Sequence, residues 1–97
     1  MLLGRYTQQP GELLKRIIDL TSWLEAGEEI QTVVVKAITP VTDPPFECPT
    51  IVVDPAKKKF AHFTTGGVTD YTYTVEFRIT TQTQVREDEI EFDVEEV

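Results

Sequence analysis

Apolar and polar residues alternate most regularly between Tyr71 and Thr81. Tyr71, Tyr73, Val75, Phe77 and Ile79 fall on one side of an extended chain, and Thr72, Thr74, Glu76, Arg78 and Thr80 on the other. A period of two marks a strand with one buried and one wet face, and threonine, valine and aromatic residues suit a pleated surface. The pattern returns near the C-terminal end, where Ile90, Phe92 and Val94 oppose Glu89, Glu91, Asp93 and Glu95. The polar link Thr81-Gln82-Thr83-Gln84 between the two runs predicts a hairpin.

Shorter strands are predicted upstream. Lys59 to Phe63 is one, followed by Thr64-Thr65-Gly66-Gly67, where a glycine pair supplies positive φ without steric cost. Ile51-Val52-Val53 is another, ended by Asp54-Pro55, because proline has no amide to donate to a ladder. Ile30 to Ile38 is nearly continuous in apolar residues at Val33-Val34-Val35, which predicts a central strand covered on both faces. Pro40 to Pro49 holds four of the six prolines and is expected to be a loop carrying the chain from one sheet to the other.

Residues 13–20 fit two templates. Leu13, Leu14, Ile17 and Ile18 follow helical spacing, yet Lys15 to Leu20 also fits a first strand. Thr21 to Gly27 reads as a one-turn helix over 21–26, capped by Thr21 or Ser22 and closed by Gly27. Six or seven short strands with Pro, Gly and Thr turns predict an all-β sandwich, a single domain over residues 11–97. Residues 1–10 lack strand patterning and are expected to form an extended N-terminal arm.

Composition narrows the function more by exclusion than by motif. The chain has 97 residues, one cysteine, one histidine and a formal net charge of −8. That length suits a single domain. One cysteine leaves no internal disulfide, and no apolar run approaches the ~20 residues of a membrane-spanning helix. Met1-Leu2-Leu3 gives way at once to Gly4 and Arg5, so no secretory leader is expected. Nucleic-acid binding needs a basic face, and the one basic cluster is Lys57-Lys58-Lys59 at a turn. Charge is also uneven: residues 1–60 hold seven basic and eight acidic side chains, residues 61–97 two basic and nine acidic.

The candidate sites each have a plain structural reading. Trp23 is expected as a core plug, with an interface anchor as the alternative. His62, between Phe60 and Phe63, has no motif partner for catalysis. Nothing near Cys48 lowers a thiol pKa. Glu28-Glu29 and Glu87-Asp88 are adjacent carboxylates, whereas glycoside hydrolysis needs two opposed across a cleft. The acids from Glu87 onward are spread along a strand ~6.5–7 Å apart on each face, a poor cage for one calcium ion. They fit an edge charged against unwanted pairing, or a docking face for a basic neighbour. No catalytic residue, metal or cofactor is expected.

Two stretches carry a family resemblance. One runs through Arg5-Tyr6-Thr7, Pro10, Ile17-Ile18-Asp19, Trp23-Leu24, Gly27-Glu28 and Ile30. The other runs through Thr65-Gly66-Gly67-Val68, Tyr73-Thr74-Val75, Arg78-Ile79-Thr80-Thr81 and Asp88-Glu89-Ile90-Glu91-Phe92. Together they resemble small immunoglobulin-like virion proteins of tailed bacteriophages and prophages, over most of the chain outside residues 39–58. The resemblance implies strand for residues 15–20 and a non-enzymatic virion protein. Such a protein is made in the host cytoplasm and assembles in several copies at the neck, tail or fibre base. Its partners would be other virion proteins, with no nucleic acid or membrane. Capsid decoration and a carbohydrate-binding adhesion module are the alternatives. The expected interface is Leu2, Leu3, Arg5 and Tyr6 of the arm, with Glu87, Asp88, Glu89, Glu91 and Asp93 of the last strand.

Overall fold

A computed structural model describes residues 2–96. Its seven strands are β1 (Leu2–Gln8), β2 (Leu13–Asp19), β3 (Ile30–Thr39), β4 (Phe46–Val53), β5 (Lys59–Gly66), β6 (Tyr71–Thr81) and β7 (Val85–Val94). They form a four-stranded sheet in the order β1-β7-β6-β3 and a three-stranded sheet in the order β2-β5-β4. Every pairing is antiparallel except β1 with β7, which is parallel.

The sheets face each other through rings. Tyr73 stacks on Phe46 at 4.9 Å between centroids, Phe46 meets Phe92 at 5.1 Å, and Phe92 meets His62 at 5.9 Å. His62 then meets Phe77 at 5.8 Å, and Phe77 meets Phe60 at 5.5 Å. The series alternates between the two sheets at every step, and all six side chains are buried. Val75, Ile79, Ile90 and Val94 fill the remaining inward positions of β6 and β7. The period-two pattern read from these strands is thus the pattern of burial from Tyr73 onward, whereas Tyr71, expected on the buried side, is exposed at the start of β6.

Several expectations are corrected. The helical turn at 21–26 does not form. Leu20 O accepts the amides of Trp23 and Leu24, but the Glu25 amide, which would continue a helix, donates to the Glu28 carboxylate at 3.0 Å instead. Among the described residues there is no helix. Residues 13–20 resolve as strand to Asp19, because β5 offers a full antiparallel ladder from Leu13↔Thr65 to Asp19↔Lys59. β3 is not central: it is an edge, Val34 faces solvent, and a bulge falls between Val35 and Ala37. The proline loop ends earlier than expected, since β4 begins at Phe46. Pro49 sits where the β4–β5 register shifts, on an edge strand that tolerates a missing donor. The loop does carry the chain between sheets, as expected.

Of the expected N-terminal arm, residues 1–10, the stretch from Leu2 to Gln8 lies along β7 as an edge strand and Pro10 is in a turn; Met1 lies outside the described residues. Polar groups hold this strand down. The buried Gln8 amide donates to Thr64 O at 2.7 Å and Glu12 O at 3.1 Å, and its Oε1 accepts from Thr64 Oγ1 at 2.8 Å. Arg16 reaches across from β2. It donates to Gln8 Oε1 at 3.0 Å and Thr7 O at 3.3 Å, with its guanidinium 4.5 Å over the Tyr6 ring. Gln8 would be costly to bury without these partners.

The glycine pair closing β5 has φ of +84° at both residues. A Cβ on Gly66 would lie 2.5 Å from the Pro45 carbonyl oxygen, and one on Gly67 would lie 2.9 Å from the Tyr73 ring. Gly66→Ala is therefore expected to cost at least about 2 kcal/mol in chemical denaturation, from backbone conformation and collision together. Arg16→Ala should cost about 1–3 kcal/mol and speed amide exchange across Leu2–Gln8 more than across β6. Uniform exchange in that variant would refute the role of Arg16 in holding β1.

Candidate subunit interface

Alternation along β7 sends Asp88, Ile90, Phe92 and Val94 inward, and Glu87, Glu89, Glu91 and Asp93 to the outer face of the four-stranded sheet. Parallel pairing with β1 sets Arg5 beside Glu91 and Thr7 beside Asp93. Arg5 grips Asp93 with two bonds, Nε to Oδ2 at 2.9 Å and Nη2 to Oδ1 at 3.0 Å. Its Nη1 lies 3.2 Å from Glu91 Oε2. Thr72 on β6 donates to Asp93 Oδ1 at 2.6 Å. Farther along, Glu87 is held by Arg78 Nη2 at 3.1 Å and Lys36 Nζ at 3.2 Å.

These pairings shift the charges they join. The Arg5 bond, helped by Thr72, holds the Asp93 carboxyl below its usual range, and Asp93 in turn raises Arg5. Bonds from Arg78 and then Lys36 lower Glu87. The pairs are exposed and fix geometry more than they stabilise the fold. Between them lies a row in which like charges face each other. Glu89 is directly opposite Glu76, Leu2 pairs with Glu89 on one side, and Ala37 pairs with Glu76 on the other. Neither glutamate has an ion pair among the described residues. A groove lined by Lys36, Glu76, Glu87, Asp88 and Glu89 runs past them.

Of the nine residues expected at an interface, Leu2, Arg5, Glu87, Glu89, Glu91 and Asp93 lie on this outer face. Leu3 and Tyr6 instead pack against the core, Tyr6 at 5.7 Å from Phe92. Asp88 is buried with Arg86 Nε at 3.7 Å, and Arg86 lies 4.1 Å over the Trp23 ring. Trp23 is partly buried against the core.

The remaining chemistry-bearing residues are engaged internally. Glu28 is buried and accepts from Thr81 Oγ1 and Thr83 Oγ1, both at 2.6 Å, from Gln84 Nε2 at 3.0 Å and from the Glu25 amide. Those bonds, Thr81 first, lower its pKa to about 2. They clamp the 20–29 segment to the β6–β7 hairpin. Sequence reasoning missed this clamp and the Gln8–Arg16 network; polar residues at inward strand positions were the available signal. Burial pushes the Cys48 thiol up to about 11. His62 is fully buried among rings, and neither of its nitrogens has a hydrogen-bond partner among the described residues. Burial, then the charge of Arg16, lowers it to about 4. Among the described residues no three His, Cys, Asp or Glu side chains are grouped to hold a metal ion.

The geometry defines a small all-β protein of two sheets, with one outer face built from charged side chains held in register. Its family follows from comparison: the family model described as podophage GP4 fiber-tail adaptor protein gp77 matches residues 8–95. The chain belongs to that family, and with it to the small virion structural proteins of tailed phages. No curated protein and no solved structure matches it.

A pH dependence follows from His62. Its folded pKa lies below the ordinary 6.5, so as pH falls from 6.5 to about 4 the unfolded chain takes up a proton that the fold refuses. Stability should fall by about 3 kcal/mol over that window. Glu28 acts at lower pH: its contribution is present above about 4.5 and lost as pH falls toward 2. In calorimetry, His62→Phe should flatten the decline between pH 6.5 and 4 and leave the steeper loss below it. An unchanged slope in that window would overturn the assignment.

Proposed function

We propose that this chain is a non-enzymatic adaptor that joins a fibre to the tail of a podophage-type virion, working by protein–protein contact in several copies per particle. The family match across residues 8–95 carries this reading. It sets the adaptor role above capsid decoration and above a carbohydrate-binding adhesion module. The geometry is in keeping with it: the polar side chains are engaged with one another, leaving broad sheet faces open to neighbours. The outer face of the four-stranded sheet, with Leu2, Arg5, Glu87, Glu89, Glu91 and Asp93, serves as a contact surface. Leu2–Gln8 contributes to it as an edge strand, and the N-terminal arm is read as part of the same single domain. Synthesis in the host cytoplasm accords with a lone thiol.

The fold of this adaptor is read as immunoglobulin-like. Three features support that. The sheets divide the strands as β2-β5-β4 and β7-β6-β3, and the first strand joins the larger sheet beside the last. Tyr73, near the start of β6, accepts the Val68 amide at its hydroxyl at 2.8 Å, the bond of a tyrosine corner. Val75, two residues on, is fully buried in the core.

Particles assembled without this protein are expected to contain filled heads and tails but to lack fibres by mass spectrometry and electron microscopy. In complete particles its copy number should track the fibres and not the shell. Full fibre occupancy in its absence would overturn the adaptor reading.

A further inference from the structure

Among the described residues four strands are sheet edges: β1 and β3 of the larger sheet, β2 and β4 of the smaller. A free edge offers unpaired amides and carbonyls to any extended chain, and soluble proteins usually interrupt it. Three of these edges are interrupted. β3 shifts register between Ile30 and Thr32 and again between Val35 and Ala37. β4 shifts between Glu47 and Thr50, around Pro49. β1 shifts between Leu2 and Gly4, and its Thr7 carbonyl accepts from Arg16 at 3.3 Å. β2 runs unbroken, seven residues in continuous register with β5.

The ladder shows which β2 groups are free. The Leu20 amide donates to Lys58 O at 2.9 Å, which continues the β2–β5 register. Bonded and non-bonded pairs alternate along an antiparallel ladder. Leu14, Arg16 and Ile18 therefore bond to β5, while Leu13, Lys15, Ile17 and Asp19 turn their amides and carbonyls to the free side. The side chains of these four residues stand on the exposed outer face, Leu13 at 60% and Ile17 at 56% exposure. Lys15 stands between them, exposed and without an ion pair among the described residues. The other charges of the strand are engaged. Arg16 donates to Gln8 and Thr7, and Asp19 accepts from Thr21 and lies opposite Lys59.

We infer that the free edge of β2 takes an extended segment of a different protein as a fourth strand of the smaller sheet. The backbone sets the mode: outward groups recurring every ~6.5–7 Å match the repeat of another extended chain. The side chains set the pattern. Neighbouring strands meet side by side, so the segment carries apolar residues beside Leu13 and Ile17 and an acid beside Lys15, in the order apolar-x-acidic-x-apolar. A second copy of this chain fits the edge less well. Its described strands already lie in sheets, so it could offer only an edge of its own. Two β2 edges paired antiparallel over their full length would set Arg16 against Arg16 and Leu13 against Asp19, both unfavourable. The source of the segment, another virion protein, rests on the adaptor reading. The edge adds a docking site separate from the outer face of the larger sheet, and an adaptor needs two.

The test is amide hydrogen exchange, resolved by residue through fragmentation mass spectrometry, on the purified full chain and on fibre-bearing particles. In the purified chain the Leu13, Lys15 and Ile17 amides should exchange fast and those of Leu14, Arg16 and Ile18 slowly. In particles the first three should slow by at least about a hundredfold. A carbodiimide should join the Lys15 amine to an Asp or Glu of another virion protein. Lys15→Pro removes one outward amide and spares the bonds to β5. With folding confirmed by circular dichroism, particles made with it should carry at least about tenfold fewer fibres, whether the segment belongs to the tail or to the fibre. Edge amides as open in particles as in the purified chain would overturn the inference. So would protection that grows with concentration in the purified chain, a Lys15 cross-link to a second copy, or normal fibre numbers with folded Lys15→Pro. Should it fall while particles without the protein still lack fibres, the adaptor reading stands alone.

Discussion

The structure depends on six rings meeting between two sheets. Tyr73, Phe46, Phe92, His62, Phe77 and Phe60 contact one another in that order, each step crossing from one sheet to the other. Rings of this size contribute most of what a small core can gain from burial. They also fix orientation. Once Phe92 and Phe77 point inward, period two sends Glu91, Asp93, Glu76 and Arg78 outward, and a one-residue slip would bury those charges. The composition of both outer faces is a consequence of the ring series. His62 fits because a neutral imidazole packs as a ring, and it keeps that place only while unprotonated.

Polar clamps close the two ends that rings do not reach. Gln8, Arg16 and Thr64 tie the first strand to the second sheet, and Glu28 ties the 20–29 segment to the β6–β7 hairpin. Each lies at a position where a burial pattern alone would call for an apolar residue. Buried polar groups are tolerated there because hydroxyl, backbone and guanidinium groups meet the Gln8 carboxamide, and hydroxyl and amide donors meet the Glu28 carboxylate. With the ends closed, the sheets are rigid platforms, and the outer faces keep a fixed spacing of charge. That is what a protein needs in order to hold two other bodies in one geometry, as an adaptor between fibre and tail must.

Legibility in the sequence followed the strength of local pattern. The bounds of β6 were readable because apolar and polar residues alternate without interruption from Tyr71 to Thr80. β7 was readable from Glu89 onward but not over Val85–Asp88, where Arg86 and Asp88 occupy inward-leaning positions and break the alternation. The glycine pair at Gly66 and Gly67 announced its own conformation, since few other residues adopt that backbone. The 21–26 segment misled, because a capped helical turn and a side-chain-closed turn share the same residues. Only the Glu28 carboxylate, claiming the Glu25 amide, separates them. β1 was missed because its bulge at Leu2–Gly4 disturbs the period, and because its partner lies more than eighty positions away along the chain.

The sequence by itself determined that the protein is all-β, that β6 and β7 form a hairpin, which side chains of 73–79 and 90–94 face the core, and that its last third is acidic. These follow from neighbours in the chain, where a period of two and turn chemistry act directly. Only the tertiary structure decided that β1 lies parallel to β7, that β3 is an edge, that Tyr6 and Asp88 turn inward, and that Arg5 pairs with Glu91 and Asp93 while Glu76 and Glu89 stand opposed. Those outcomes depend on which strands become neighbours across the sheet. That pairing is settled by the packing of the rings and the satisfaction of Gln8 and Glu28, not by any local run of residues.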